Sequence, residues 1–274
     1  MKVLTLNTHS WMEEKDQQQI EVLANKIAKE EFDLIGLQEV NQLLASPLAK
    51  TDQYFQPTTD QQPIHQDNFL FCLIEQLKKL GCYYYWSWAY NHIGYDIYHE
   101  GIGLLSKTPI KAESQVVSES SDPADYHTRK AMIGETTIAG EKVIAVSGHF
   151  SWWQTADKTF AYEWHKLEKI LAEQQAALVV MGDFNNDAGA SGEGYELVRE
   201  SSLDLQDAFA VAKIKSGEYT VEKQIDGWDT NAEKLRIDYI FTSKNFKIES
   251  YQVVFDDKNE PVISDHYGVA VTMD

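Results

Sequence analysis

Residues 178–186, LVVMGDFNN, decide how this chain is read. The apolar run from Leu178 to Met181 has the length and β-branched content of a buried strand, and it empties into Gly182-Asp183-Phe184-Asn185. Side chains two apart on a strand share a face, so Asp183 and Asn185 are expected to project together beyond the sheet edge, where α/β proteins keep their chemistry. Gly, Asp and Asn are also ordinary turn residues, and a plain strand exit is the rival reading of this stretch.

Upstream, residues 157–175 carry Phe160, Trp164, Leu167 and Leu171 on one helical face, and strand patterns occupy 115–117, 130–135 and 142–147. The chain begins with a strand at 2–7, a helix marked by Ile20, Leu23 and Ile27, and a second strand at 33–40 that delivers Glu39. Residues 46–63 are polar, Gln-rich and punctuated by proline, which predicts a long loop or lid. A helix follows at 68–80, with Phe69, Leu73, Leu77 and Leu80 on a stripe and Gly81 as its C-terminal cap. Strands at 83–90 and 101–106 are expected to flank an aromatic loop. Beyond the opening stretch, a short helix near 195–200 leads to strands at 237–242, 251–255 and 267–272, the last directly after Ser264-Asp265-His266.

Laid against itself, this order repeats. Strand, Asn7, helix, strand, Glu39 in the first half is echoed by strand, His149, helix, strand, Asp183 in the second. Two such halves packed face to face would bring all four ends to one rim, which predicts an α/β fold: a four-layer α/β/β/α sandwich of two packed mixed β-sheets in a single domain over 1–274.

Composition narrows the function. With 43% hydrophobic and 12% aromatic residues the chain can fill a substantial core, yet no run approaches the roughly 20 apolar residues needed to span a membrane. The opening MKVLTLNTHSW lacks the form of a secretory signal, and Cys72 and Cys82 read as small thiols of a reducing compartment, so a cytoplasmic protein is expected. Net charge is −19, from 43 acidic and 24 basic residues, and no basic stripe is present. That charge argues against an extended nucleic-acid footprint.

Polar groups stand at strand ends or flanking turns throughout: Asn7, Glu39, His149, Asp183 with Asn185, Asp238, and Asp265 with His266. Each alone has an ordinary explanation as a turn, solvated or core residue. Their joint placement at strand ends does not. Glu39, Asp265 and the Asn7 carboxamide are hard oxygen ligands that suit Mg²⁺, with Mn²⁺ also acceptable, and the lack of a Cys/His cluster argues against structural zinc. Two histidines near carboxylates supply what phosphoryl transfer needs for base catalysis and charge stabilisation, with Asp238 placed to orient His266.

Asn7 in LNTHSW, Glu39 in LQEV, His149 in SGHF, Asp183 and Asn185 in GDFN, Asp238 in RIDYIF and Asp265-His266 in SDH together resemble the signature set of the endonuclease/exonuclease/phosphatase superfamily, over the whole chain and in the same order. The resemblance implies a deoxyribonuclease-like fold and a metal-dependent phosphoric ester hydrolase. It further implies that Glu39 binds the metal with Asn7 and Asp265, that His266 backed by Asp238 is the general base, that Asp183 positions water or a second ion, and that Asn185 and His149 hold phosphate oxygens. Whether Asp183 or His266 is the base stays open.

Substrate has to be read from other residues. Trp11, Trp152, Trp153 and Trp228 lie near the expected rim, and flat rings with a polar edge suit sugars, nucleobases or lipid headgroups. Arg129, with Lys130, enters a strand and is a candidate phosphate clamp; a solvated strand start is the alternative. The strings NTHSWMEE, LQEVNQ, NHIGYD, GHFSWW and IDGWD are most similar to a cytosolic branch that contains maltose 6'-phosphate phosphatase. This implies a phosphomonoesterase acting on a small phosphorylated disaccharide, without nucleic-acid or membrane partners. The alternatives are a phosphodiesterase of the DNA endonuclease or sphingomyelinase kind and, more remotely, an inactive sugar-phosphate sensor.

Overall fold

Alternating burial sorts side chains between two cores. In β1 (Lys2–Asn7) Val3 faces one and Leu4 and Leu6 face the other. Helix α1 (Asp16–Glu30) returns the chain so that β2 (Leu34–Gln38) lies parallel to β1, with Val3 opposite Leu34 and Asn7 opposite Gln38. After a short β3 (Gln42–Leu43), helix α2 (Phe69–Lys79) is N-capped by the Asn68 side chain, which accepts from Phe71 N at 3.0 Å, and the chain leaves it through Gly81 at φ 77°. The computed structural model describes all residues except 14–15, 154–158, 226–227 and 229–232, and Asp16 by its backbone alone.

β4 (Tyr85–Gly94) and β5 (Tyr98–Ser106) form a long hairpin. The aromatic loop expected over 91–100 is therefore strand and turn, with pairing that continues to Gly94 opposite Tyr98. Both faces of β4 are largely buried, so its sequence shows no clean alternation from which the strand could be recognised. β6 (Ile110–Val116), β7 (Lys130–Ile138) and β8 (Glu141–His149) make an antiparallel meander, and helix α3 (Thr159–Ala172) carries the chain to β9 (Ala177–Asp183), parallel to β8 with His149 opposite Asp183. The start expected for α3 at Asp157 lies outside the described residues. The echo in the sequence is thus a pair of βαβ units. Helix α4 (Gly194–Arg199), β10 (Leu205–Asp207), α5 (Ala208–Val211), β11 (Ile214–Ser216), β12 (Asp238–Ser243), β13 (Ile248–Val254) and β14 (Gly268–Met273) complete the chain.

Two mixed sheets result. One runs β11-β13-β14-β1-β2-β5-β3 with β4 also on β5, and the other β10-β12-β9-β8-β7-β6. Val3, Leu34, Leu104, Met132, Val143, Val179, Met181 and Val271 fill the layer between them. Leu23, Ile27, Leu70 and Leu73 of α1 and α2 cover the outer face of the first sheet, and Phe160, Trp164, Leu167 and Leu171 of α3 cover that of the second. This is the four-layer α/β/β/α sandwich.

The 46–63 segment is a loop but not a lid. Asp60 pairs with Lys130 Nζ at 2.5 Å, Asp52 with Lys78 Nζ at 2.7 Å, and the Phe55 ring lies 4.5 Å from that of Trp86. Strapped to β4, α2 and β7, it contributes no residue to the cavity described next.

Candidate active site

The same period of two that fills the inter-sheet core aims the polar strand ends at its rim. Asn7 continues the face of Val3, His149 that of Val143 and Ala145, Asp183 that of Val179 and Met181, and Asp238 that of Ile240. Glu39 follows β2 in a left-handed conformation at φ 49°, and Ser10 Oγ (2.6 Å) and Thr8 Oγ1 (3.0 Å) hold its carbonyl. Ser264 Oγ donates to Asn7 O at 2.7 Å, tying Asp265 and His266 to the end of β1.

Asp183 is the hub. Its Oδ2 accepts from Asn7 Nδ2 at 3.0 Å and lies 3.7 Å from Nε2 of both His149 and His266. Asn7 Nδ2 also donates to Glu39 Oε1 at 2.8 Å, while its oxygen accepts from His9 N at 3.1 Å. Asp238 Oδ2 and His266 Nδ1 are 2.9 Å apart, and Asp183, Asp238 and His266 form a buried carboxylate–carboxylate–imidazole cluster. Burial works against the imidazolium of His266, but Asp238 and Asp183 outweigh it and hold its pKa well above the ordinary value. Burial, with Asp183 adding to it, pushes Asp238 up to about 6. Glu39 is raised as well, first by burial and then by the carboxylates Glu100 and Asp265.

Glu39, His149, Asp183, Asn185, Asp265, His266, Arg129 and Trp152 line one cavity of about 240 Å³; Asn7 and Asp238 stand behind its wall. Asn185 reaches the cavity by a different route from the one alternation predicts. β9 ends at Asp183, and Asn185 turns away at φ 50°, donating to Phe150 O at 3.0 Å and accepting from Trp228 Nε1 at 3.2 Å. Trp228 therefore meets the site through Asn185, with its ring on Val221, Ile225, Leu235 and Ile237. Trp153 packs on the core under α3, and Trp11 sits edge-on to Phe69 at 5.6 Å, so neither lines the cavity. Lys130 is taken by Asp60.

Three groups in the cavity wall escaped the sequence reading. Glu100 of β5 is buried with Oε2 3.1 Å from His92 Nε2, and Oε1 3.4 Å from His149 Nδ1 and 3.7 Å from Arg129. Burial disfavours its charge, yet His92 and His149 hold its pKa well below the carboxylate range. In turn burial and Arg129 oppose the charged form of His149, and the carboxylates Glu100 and Asp183 still raise it. His9, bonded to Glu13 at 2.9 Å and 3.6 Å from Asp265, is pushed up to about 9 against the cost of its burial. A glutamate beside the apolar run GIGLL of the strand YHEGIGLLS was the available signal for Glu100.

The arrangement brings carboxylates, a His–Asp pair, and cationic and amide groups together at one cavity, with Glu100 set against His149 and Arg129. Its architecture is shared. The chain is similar over its whole length to an endonuclease/exonuclease/phosphatase family protein from Leptotrichia buccalis C-1013-b, with a TM-score of 0.87, 30% sequence identity, and 100% and 99% of the two chains covered. A mannosyl-6-phosphatase from Bacteroides thetaiotaomicron VPI-5482 has the same fold at a TM-score of 0.69 and 16% identity, covering 100% of this chain and 99% of that one. So does truncated TDP2 from Caenorhabditis elegans, at 0.65 and 17%, covering 99% and 96%. No curated protein matches the sequence. Residues 11–266 match the family model described as Endonuclease/Exonuclease/phosphatase family. The chain therefore belongs to that family of phosphoric ester hydrolases.

Proposed function

We propose that this protein is a Mg²⁺-dependent phosphomonoesterase that removes phosphate from a phosphorylated disaccharide of the maltose 6'-phosphate kind. The observation that carries the proposal is the site's form. A cavity of about 240 Å³ is lined by Glu39 and Asp265, by His149, Asn185 and Arg129, and by the rings of Tyr95, Tyr126 and Trp152. That volume suits a terminal phosphate and the sugar atoms next to it. The net charge of −19 disfavours a polyanion, and the fold shared with a mannosyl-6-phosphatase accommodates a sugar phosphate.

The residues fit a hard divalent cation. Glu39 and Asp265 offer oxygen, and the burial and neighbouring carboxylates that lift the Glu39 pKa are what such an ion offsets. Asn7 holds Glu39 in place through its amide nitrogen, 2.8 Å from Oε1. When bound, Mg²⁺ supplies Lewis-acid polarisation and neutralises phosphate charge. His266 Nε2 takes the proton of the attacking water while Asp238 fixes Nδ1 and stabilises the imidazolium; the phosphorus–oxygen bond to the sugar breaks, and the departing sugar oxygen takes its proton from solvent. Asp183, 3.7 Å from that Nε2, orients the water, and His149, Asn185 and Arg129 face the phosphoryl oxygens.

Phosphate release from a sugar-phosphate panel that includes maltose 6'-phosphate, measured with Mg²⁺ and with EDTA beside plasmid nicking, tests the proposal. EDTA-sensitive release from a disaccharide phosphate with intact plasmid supports it. Nicking without sugar-phosphate turnover transfers the site to a phosphodiester.

A further inference from the structure

We infer that the tip of the β4–β5 hairpin and Tyr126 clamp the sugar ring that carries no phosphate, which makes Tyr95 and Tyr126 the specificity determinants of the site. The inference rests on the monoesterase reading above. The tip is the turn from Gly94 to Ile97, closed by Ile97 N donating to Gly94 O at 3.2 Å. Both central residues of this turn are left-handed, Tyr95 at φ 49° and Asp96 at φ 61°, a backbone that tight turns normally fill with Gly, Asn or Asp. A bulky tyrosine there goes against local preference, and such exceptions cluster where a side chain is used.

Its ring stands 49% exposed in the wall of the cavity that contains Glu39 and His149. Tyr126, 58% exposed, lines the same cavity from the turn before β7. That turn is rigid for its length: Asp122 Oδ1 accepts from Ala124 N at 2.9 Å, Asp125 Oδ1 accepts from His127 N at 3.0 Å, and the His127 ring lies 3.8 Å from that of Tyr126. Neither tyrosine serves the phosphate chemistry. Two exposed phenol rings held by short turns, with Trp152 in the same cavity wall, offer apolar faces for the C–H face of a pyranose and hydroxyls for its rim. With its phosphate against His149 and Arg129, a disaccharide ester would have its sugars among the rings that line the same cavity.

The test compares kcat/KM on maltose 6'-phosphate with kcat/KM on glycerol 1-phosphate, which has no ring. Tyr95→Asn keeps a residue suited to the turn, and Tyr126→Ala alters an exposed side chain. Each should lose about tenfold on the disaccharide ester, through KM, and stay unchanged on glycerol 1-phosphate. Tyr95→Asn should melt at or above the wild-type temperature. Equal losses on both substrates, or loss on neither, overturn the clamp. Wild-type enzyme that hydrolyses both esters equally well also overturns it while leaving the monoesterase standing. Release from neither ester, with nicking of plasmid, removes the monoesterase reading and the clamp with it.

Discussion

In the proposed mechanism His266 is the base, and its own surroundings favour its protonated form. Asp238 and Asp183 raise its pKa, so the free-base form needed to accept a proton accumulates as pH rises. Activity should accordingly climb from neutral toward alkaline pH. Asp238→Asn removes the leading attraction, so the climb should shift to lower pH while kcat drops by about 10²- to 10⁴-fold, as expected when the orienting partner is lost; a kcat pH profile of both proteins checks it. Glu100 makes the opposite case. Its folded pKa is depressed, so its stabilisation is complete above the ordinary value of 4.5 and is lost as pH falls through the depressed one. Glu100→Gln leaves His92, His149 and Arg129 without their carboxylate and should cost about 3 kcal/mol at pH 7, a deficit that narrows on acidification and is read from urea midpoints at both pH values. Asn7, His149, Asp183 and Asp238 were legible because each is polar at the end of an apolar strand, where a period of two gives its direction. Glu100 and His92 were not, because both lie inside hairpin strands and become partners only through β4–β5 pairing.

At the scale of elements, β8 and β9 place His149 opposite Asp183, and Gly182 sets their separation. Gly182 has φ 145°, and a Cβ on it would lie 1.9 Å from the backbone oxygen of Gly148. Gly182→Ala should therefore force apart the strands that place His149 opposite Asp183, destabilising by roughly 1–3 kcal/mol and removing most activity, as thermal melts and initial rates would show. Long elements were readable from their patterns: α3 from its apolar stripe, the βαβ echo from its repeat. β3, β10 and β11, with two or three residues each, carry no pattern of their own and exist through pairing with longer neighbours. The loop or lid expected at 46–63 is a loop strapped down, because Asp52, Phe55 and Asp60 find partners far along the chain, which composition does not reveal.

For the whole molecule, two sheets that share one core present their polar strand ends on a single rim, within a surface of net charge −19. None of the described helices is long and apolar enough to cross a membrane. The wider the negative field, the more the site must rely on its own cations and on bound metal to hold phosphate. On the proposed reading, such a site would favour a small terminal dianion that it can surround over one bond of a long polyanion. The most direct measurement compares kcat/KM, with Mg²⁺, for a sugar phosphomonoester and for the methyl diester of the same sugar phosphate. The account predicts a preference for the monoester of at least about a hundredfold. Equal or faster cleavage of the diester would contradict it.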